Sequence, residues 1–93
     1  MRVIMVYDVA TDDPEGQKRL NKVRKIAKKY LHHIQKSVFE GNITQSSLER
    51  LKYEILQVVD LYKDSVIIYT FEESFHYRRE IITNSSDPTD NLI

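Results

Sequence analysis

The sequence predicts an α+β domain of order βαββαβ, a ferredoxin-like arrangement with two helices on one face of an antiparallel sheet, an additional C-terminal edge strand and a second copy as partner. Three observations predict it. Residues 3–7 and 65–71 are apolar runs of strand length, rich in β-branched and aromatic side chains. Two stretches of 3.6-residue apolar periodicity lie between them, separated by an extended segment. Finally, both runs are apolar on both faces, whereas two helices can cover one. A two-fold dimer is the commonest way to cover the other.

Val3-Ile4-Met5-Val6-Tyr7 reads as a buried central strand. Alternation puts Val3, Met5 and Tyr7 on one face and Ile4, Val6 and Asp8 on the other, so a carboxylate emerges at the rim of an apolar surface. Burying such a charge is costly unless it is paired, hydrogen-bonded or bound to a metal. Asp8 either marks a site or opens the turn towards Thr11-Asp12-Asp13-Pro14, a usual role for Asp.

Leu20, Val23, Ile26, Ala27, Tyr30 and Leu31 then recur at helical spacing and predict an amphipathic helix over residues 15–31. Lys18, Lys22, Lys25 and Lys29 fall together on its opposite face. The formal net charge is zero, yet residues 16–39 hold eight Lys/Arg and no acid, leaving six basic and fourteen acidic residues elsewhere. Balanced totals hide a polar molecule. Four lysines without interleaved acids forgo the usual i,i+4 pairs. They form either a solvated face or a surface for nucleic-acid phosphates.

Residues 34–43 read as extended chain, either one bent strand or two short ones, with Gly41 marking a bulge or a close backbone approach. Ser46 with Glu49 three residues on forms a capping box for the second helix, which turns Leu48, Leu51, Ile55, Val58, Val59 and Tyr62 inward. The strand at 65–71 follows, then a shorter candidate at 79–83 that precedes a polar tail. Residues 1–83 are read as one domain and residues 84–93 as the tail.

Composition bounds the chemistry. Without cysteine there are neither disulfides nor thiolate zinc ligands, and His32, His33 and His76 lack ligand spacing. The apolar N-terminus is interrupted at Asp8, too early for a signal peptide, and no run approaches the roughly 18 residues of a membrane span. The expectation is a cytoplasmic protein without membrane contact. A chain of 93 residues is also too small for a deep cleft of its own, so a site would need a partner surface.

The Tyr7-Asp8 strand ending, the basic first helix, and Ile34-Gln35-Lys36-Ser37-Val38-Phe39-Glu40-Gly41, with the late Tyr77-Arg78-Arg79 segment, resemble one family over essentially the whole chain. It is "Cas two", the second of the two universal CRISPR-associated adaptation proteins, the CRISPR-associated endoribonucleases. The resemblance implies a ferredoxin-like homodimer whose fifth strand packs against the partner's sheet. It implies magnesium-dependent cleavage of RNA or DNA, and in spacer acquisition, a step of CRISPR antiviral defence, a bridging role between dimers of the integrase "Cas one". Asp8 matches the family's metal-binding aspartate, Tyr7 its neighbouring aromatic, and Phe39 the phenylalanine near the nuclease site. Lys18 and Arg19 lie where the family is basic. His33 departs from it, standing where many relatives carry arginine, and neutral imidazole is a poorer phosphate contact.

On that reading one magnesium ion is shared by Asp8 of both subunits, because magnesium needs one or two carboxylates and keeps several waters. Lys18, Arg19, Lys22, Lys25, Lys29 and His33 would contact duplex DNA or single-stranded RNA. Ser37 lacks an activating base and reads as structural; His33 is either a base or a turn residue. Phe39 stacks on a base or belongs to core or interface. Three functions compete: a metal-dependent nuclease, a non-catalytic scaffold for the integrase, and a ferredoxin-like RNA-binding or ligand-sensing module outside the resemblance. The aromatic, Gly-rich signature of an RNA-recognition motif is missing from the chain.

Overall fold

A computed structural model describes residues 1–72 and 76–85. Its elements run β1 (Arg2–Asp8), α1 (Pro14–Lys28), β2 (His32–Gln35), β3 (Val38–Asn42), α2 (Gln45–Val58) and β4 (Ser65–Phe71). The sheet order is β2-β3-β1-β4, with every neighbouring pair antiparallel. The predicted α+β architecture is therefore present, with β1 central.

Alternation along β1 is as the sequence requires. Val3, Met5 and Tyr7 are buried beneath both helices, whereas Ile4 and Val6 are half-buried and Asp8 is exposed on the opposite face. Phe39, Val23, Ala27, Leu31, Leu48, Leu51 and Ile55 complete the covered core. Full burial of a side chain such as Phe39 or Met5 is worth about 1.5–3 kcal/mol, so this face carries much of the stability. On the open face Tyr69 lies opposite Ile4 and Ile67 opposite Val6, and both remain half exposed, at 51% and 48%.

Local chemistry sets the helix ends. Asp13 caps α1 by accepting from the Gly16 amide at 2.7 Å, and Pro14 occupies the first turn, where its missing N–H costs nothing. A Cβ on Gly16 would lie 1.9 Å from the Ala10 carbonyl oxygen, so the loop and the first turn approach too closely for any other residue. The helix stops at Lys28, three residues before the predicted end, although Leu31 remains in the core.

Several expectations need correction. The cap of α2 is Thr44, whose hydroxyl accepts from the Ser47 amide at 3.2 Å; Ser46 lies inside the helix. Three hydroxyl residues within four positions, Thr44, Ser46 and Ser47, made the choice ambiguous. Tyr62 is 98% exposed rather than inward, because α2 ends at Val58 and Asp60 turns the chain by accepting from the amides of Tyr62 and Lys63. Residues 34–43 resolve into a hairpin, with the bulge in β2 between His33 and Gln35 rather than at Gly41. Gly41 marks a close approach: a Cβ there would meet a Leu31 methyl at 2.9 Å. His33 is a strand residue, not a turn residue.

Residues 79–83 form no strand in this chain's own sheet. A strand exists by pairing, and this segment pairs with none of the four. Instead Tyr77 donates to Glu40 at 3.0 Å and Arg79 forms an ion pair with the same carboxylate, which Arg2 also reaches at 2.9 Å. Glu40, on the open face of β3, is thereby buried and fully compensated. The tail beyond residue 85 lies outside the described residues.

Candidate metal and nucleic-acid site

Asp8 closes β1 opposite Ser65, two residues beyond the last β1–β3 pair, Val6 with Val38. The Tyr7 amide adds one more bond, donating to the Ser37 carbonyl at 3.1 Å. The carboxylate therefore stands exposed at the sheet rim, beside the β2–β3 turn. No group of three or more His, Cys, Asp or Glu gathers among the described residues. Among the described residues, Asp8 therefore stands outside any ready-made cluster of metal ligands. Such a carboxylate fits magnesium, which takes one or two carboxylates and keeps its waters, if a second copy supplies the other.

Tyr7 and Phe39 do not face that rim. Tyr7 is buried, its hydroxyl donating to the Lys36 carbonyl at 2.6 Å. Phe39 is wholly buried between rings, 5.9 Å from Tyr7 and stacked at 4.4 Å on His33, whose Nε2 lies 3.2 Å from the same Lys36 carbonyl. No ring face of Phe39 remains for a base. The three side chains frame the turn beside Asp8.

The cations of α1 divide. Lys18, Lys22 and Lys25 are exposed, Lys18 with a loose 3.7 Å contact to Glu15. Lys29 instead joins α1 to α2 by pairing with Glu54, which also accepts from Tyr30. Those two bonds, Lys29 first, hold the Glu54 carboxyl below its usual range. Arg19 turns inward: its Nε donates to Asp64 at 2.8 Å, its Nη2 to the Ala10 carbonyl at 3.3 Å. The Asp64 side chain is fully buried. Burial works against its charge, yet hydrogen bonds from Arg19 and the amides of Asp60 and Ala10 outweigh it and hold the carboxyl below its usual range. Sequence reasoning assigned Arg19 to phosphate and missed Asp64, 45 residues away. No local spacing could join them.

A four-stranded antiparallel sheet with two helices on one face and an exposed carboxylate at its rim define a ferredoxin-like α+β protein. The model of the family CRISPR associated protein Cas2 matches residues 1–78. Among its relatives is the CRISPR-associated endoribonuclease Cas2 2 of Moorella thermoacetica, 47% identical over 98% of this chain and 100% of that protein. The CRISPR-associated endoribonuclease Cas2 of Methanocaldococcus jannaschii is 42% identical over 100% of this chain and 76% of its own length. The crystal structure of Streptococcus pyogenes Cas2 superposes with a TM-score of 0.78 at 34% identity, covering 89% of this chain and all of that one. This chain belongs to the Cas2 family. Among the described residues no helix is long and apolar enough to cross a membrane.

Proposed function

We propose that this protein is a CRISPR adaptation protein that acts as a homodimer. It binds nucleic acid and bridges dimers of the integrase "Cas one" during spacer acquisition, and it carries a magnesium-dependent endonuclease site at Asp8. The observation that carries the reading is the placement of Asp8: exposed, at the rim of an apolar sheet face half covered within one chain, in a molecule whose first helix presents Lys18, Lys22 and Lys25 to solvent. The relatives' name, endoribonuclease, supports the activity. A second copy packed on Ile4, Val6, Ile67 and Tyr69 would remove apolar surface from water and bring the two Asp8 carboxylates near the symmetry axis.

Bound there, magnesium would polarise a phosphodiester oxygen and lower the pKa of a coordinated water. The chain's own residues do the rest. Asp8 holds the ion, the exposed lysines neutralise the backbone, and the turn framed by Tyr7, Phe39 and His33 fixes the rim. Because the lysines lie on α1 and the carboxylate on β1, binding and cleavage are separable.

Asp8→Asn tests this, since it keeps the size and removes the charge. Metal-dependent cleavage should disappear while dimerisation and duplex binding persist. Spacer acquisition in a reconstituted system should also survive, and should be lost on removing residues 79–93. Cleavage persisting in highly purified Asp8→Asn protein would move the site elsewhere. Acquisition lost with binding intact would make catalysis the biological function.

A further inference from the structure

The two arginines of α1 differ from its exposed lysines in direction, and both reach the chain immediately around Asp8. Arg19 contacts residue 10 on one side of it, through the Ala10 carbonyl at 3.3 Å, and grips Asp64, which itself accepts from the Ala10 amide at 3.1 Å. Arg24 contacts residue 7 on the other side. Its Nε donates to the Tyr7 hydroxyl at 3.2 Å and its Nη2 to the Lys36 carbonyl at 3.3 Å, so the guanidinium fork spans two acceptors. The Lys36 carbonyl accepts from Tyr7 of β1 and Arg24 of α1, which fill its two lone pairs, and His33 Nε2 of β2 lies 3.2 Å away, so side chains from three elements converge on one turn.

We infer that Arg19 and Arg24 are positioning residues for the Asp8 carboxylate, Arg19 holding the chain at the Ala10 carbonyl and Arg24 holding the Tyr7 ring by its hydroxyl and the β2–β3 turn by the Lys36 carbonyl, so fixing the height and direction of the rim against α1. The inference rests on Asp8 being the metal ligand. It divides the labour of one helix: lysines outward for the polyanion, arginines inward for the carboxylate. A metal site that draws a single carboxylate from each chain would have little margin for error, because a displaced carboxylate removes half of the protein's ligands. Supporting groups around metal ligands typically matter by roughly 10-fold to 100-fold in affinity. Arg24 is the informative member, since Arg19 is also half of a buried ion pair and its loss would be felt throughout the fold.

The test uses the intact dimer with Mn2+ as the probe, bound Mn2+ being read by water proton relaxation, with amide hydrogen exchange at Tyr7 alongside. Arg24→Lys keeps the charge and loses the fork; Tyr7→Phe keeps the ring stack and loses the hydroxyl. Both should weaken Mn2+ binding by roughly 10-fold or more. Both should speed exchange of the Tyr7 amide, whose partner is Ser37, and lower kcat at unchanged KM for the nucleic acid. Arg24→Ala should do the same, and if it does not fold, the other two variants still decide. Unchanged Mn2+ affinity in Arg24→Lys and Tyr7→Phe overturns the inference. So does a raised KM with kcat and Mn2+ binding intact, which would make Arg24 a phosphate contact. Asp8→Asn is the reference: if it loses Mn2+ binding, a negative result belongs to the arginines, and if it retains it, the assignment of Asp8 itself has failed and the inference with it.

Discussion

The two faces of β1 are built from similar residues and lead different lives. Val3, Met5 and Tyr7 are sealed under the helices, while Ile4 and Val6 are half covered and Asp8 is open. Hydropathy does not separate them; neighbours do. The covered face meets side chains of both helices, and the open face meets Tyr69, Ile67 and the Glu40 cluster, all on the same sheet or the segment following it. Stability therefore concentrates on one face and leaves the other open, the face to which the proposed second copy and metal are assigned.

The sharpest way to break this comparison is to shorten one residue on each face. Met5→Ala should cost about 2–5 kcal/mol by thermal or denaturant unfolding, since it empties a packed site. Ile67→Ser, on the open face, should leave the monomer's own fold nearly intact but shift the dimer towards monomer in light scattering. Equal losses of stability without any change of mass would erase the distinction between the faces.

Next in size is Asp64→Ala, predicted to cost about 3 kcal/mol at neutral pH because it strands Arg19 and the amides of Ala10 and Asp60. The sign of the pH dependence follows from the depressed carboxyl. Its contribution is complete above the unfolded value of about 3.9 and is lost as pH falls through the lower folded value. The gap between wild type and variant should therefore shrink below about pH 4. A gap that stays constant under acid would detach Asp64 from the stability of the loop.

The smallest effect concerns the lysines. Lys18, Lys22 and Lys25 changed to Gln should flatten the log-log salt dependence of duplex binding by up to about 0.9 per lost contact per subunit. Lys29→Gln should flatten it less, being held by Glu54. Equal changes at all four positions would mean that the Glu54 pair opens on binding.

What the sequence made legible follows the range of the interactions. The strand alternation that sets Asp8 at the rim has period 2, and the helix stripe has period 3.6, so both can be read within a dozen residues. The caps were half legible: Asp13-Pro14 has one reading, whereas Thr44, Ser46 and Ser47 offer three. The frame around the site was hidden. Nothing near Arg19 points to Asp64, and nothing near Tyr7 points to the carbonyl of Lys36, 29 residues on. The β2–β3 turn itself lacks the Gly or Pro that marks most hairpins, being held instead by those distant side chains. A strand over residues 79–83 was read from local apolar content and from the family resemblance, which assigns the fifth strand to the partner's sheet, and this chain's own sheet supplies it no neighbour.

The central claim, that the open face of β1 works by bringing two Asp8 carboxylates to one ion, comes down to a stoichiometry. Mn2+ titrated into the purified protein and followed by water proton relaxation should saturate at one ion per two chains, and the Asp8→Asn protein should bind none at that site. One ion per chain, or unchanged binding in Asp8→Asn, would contradict it.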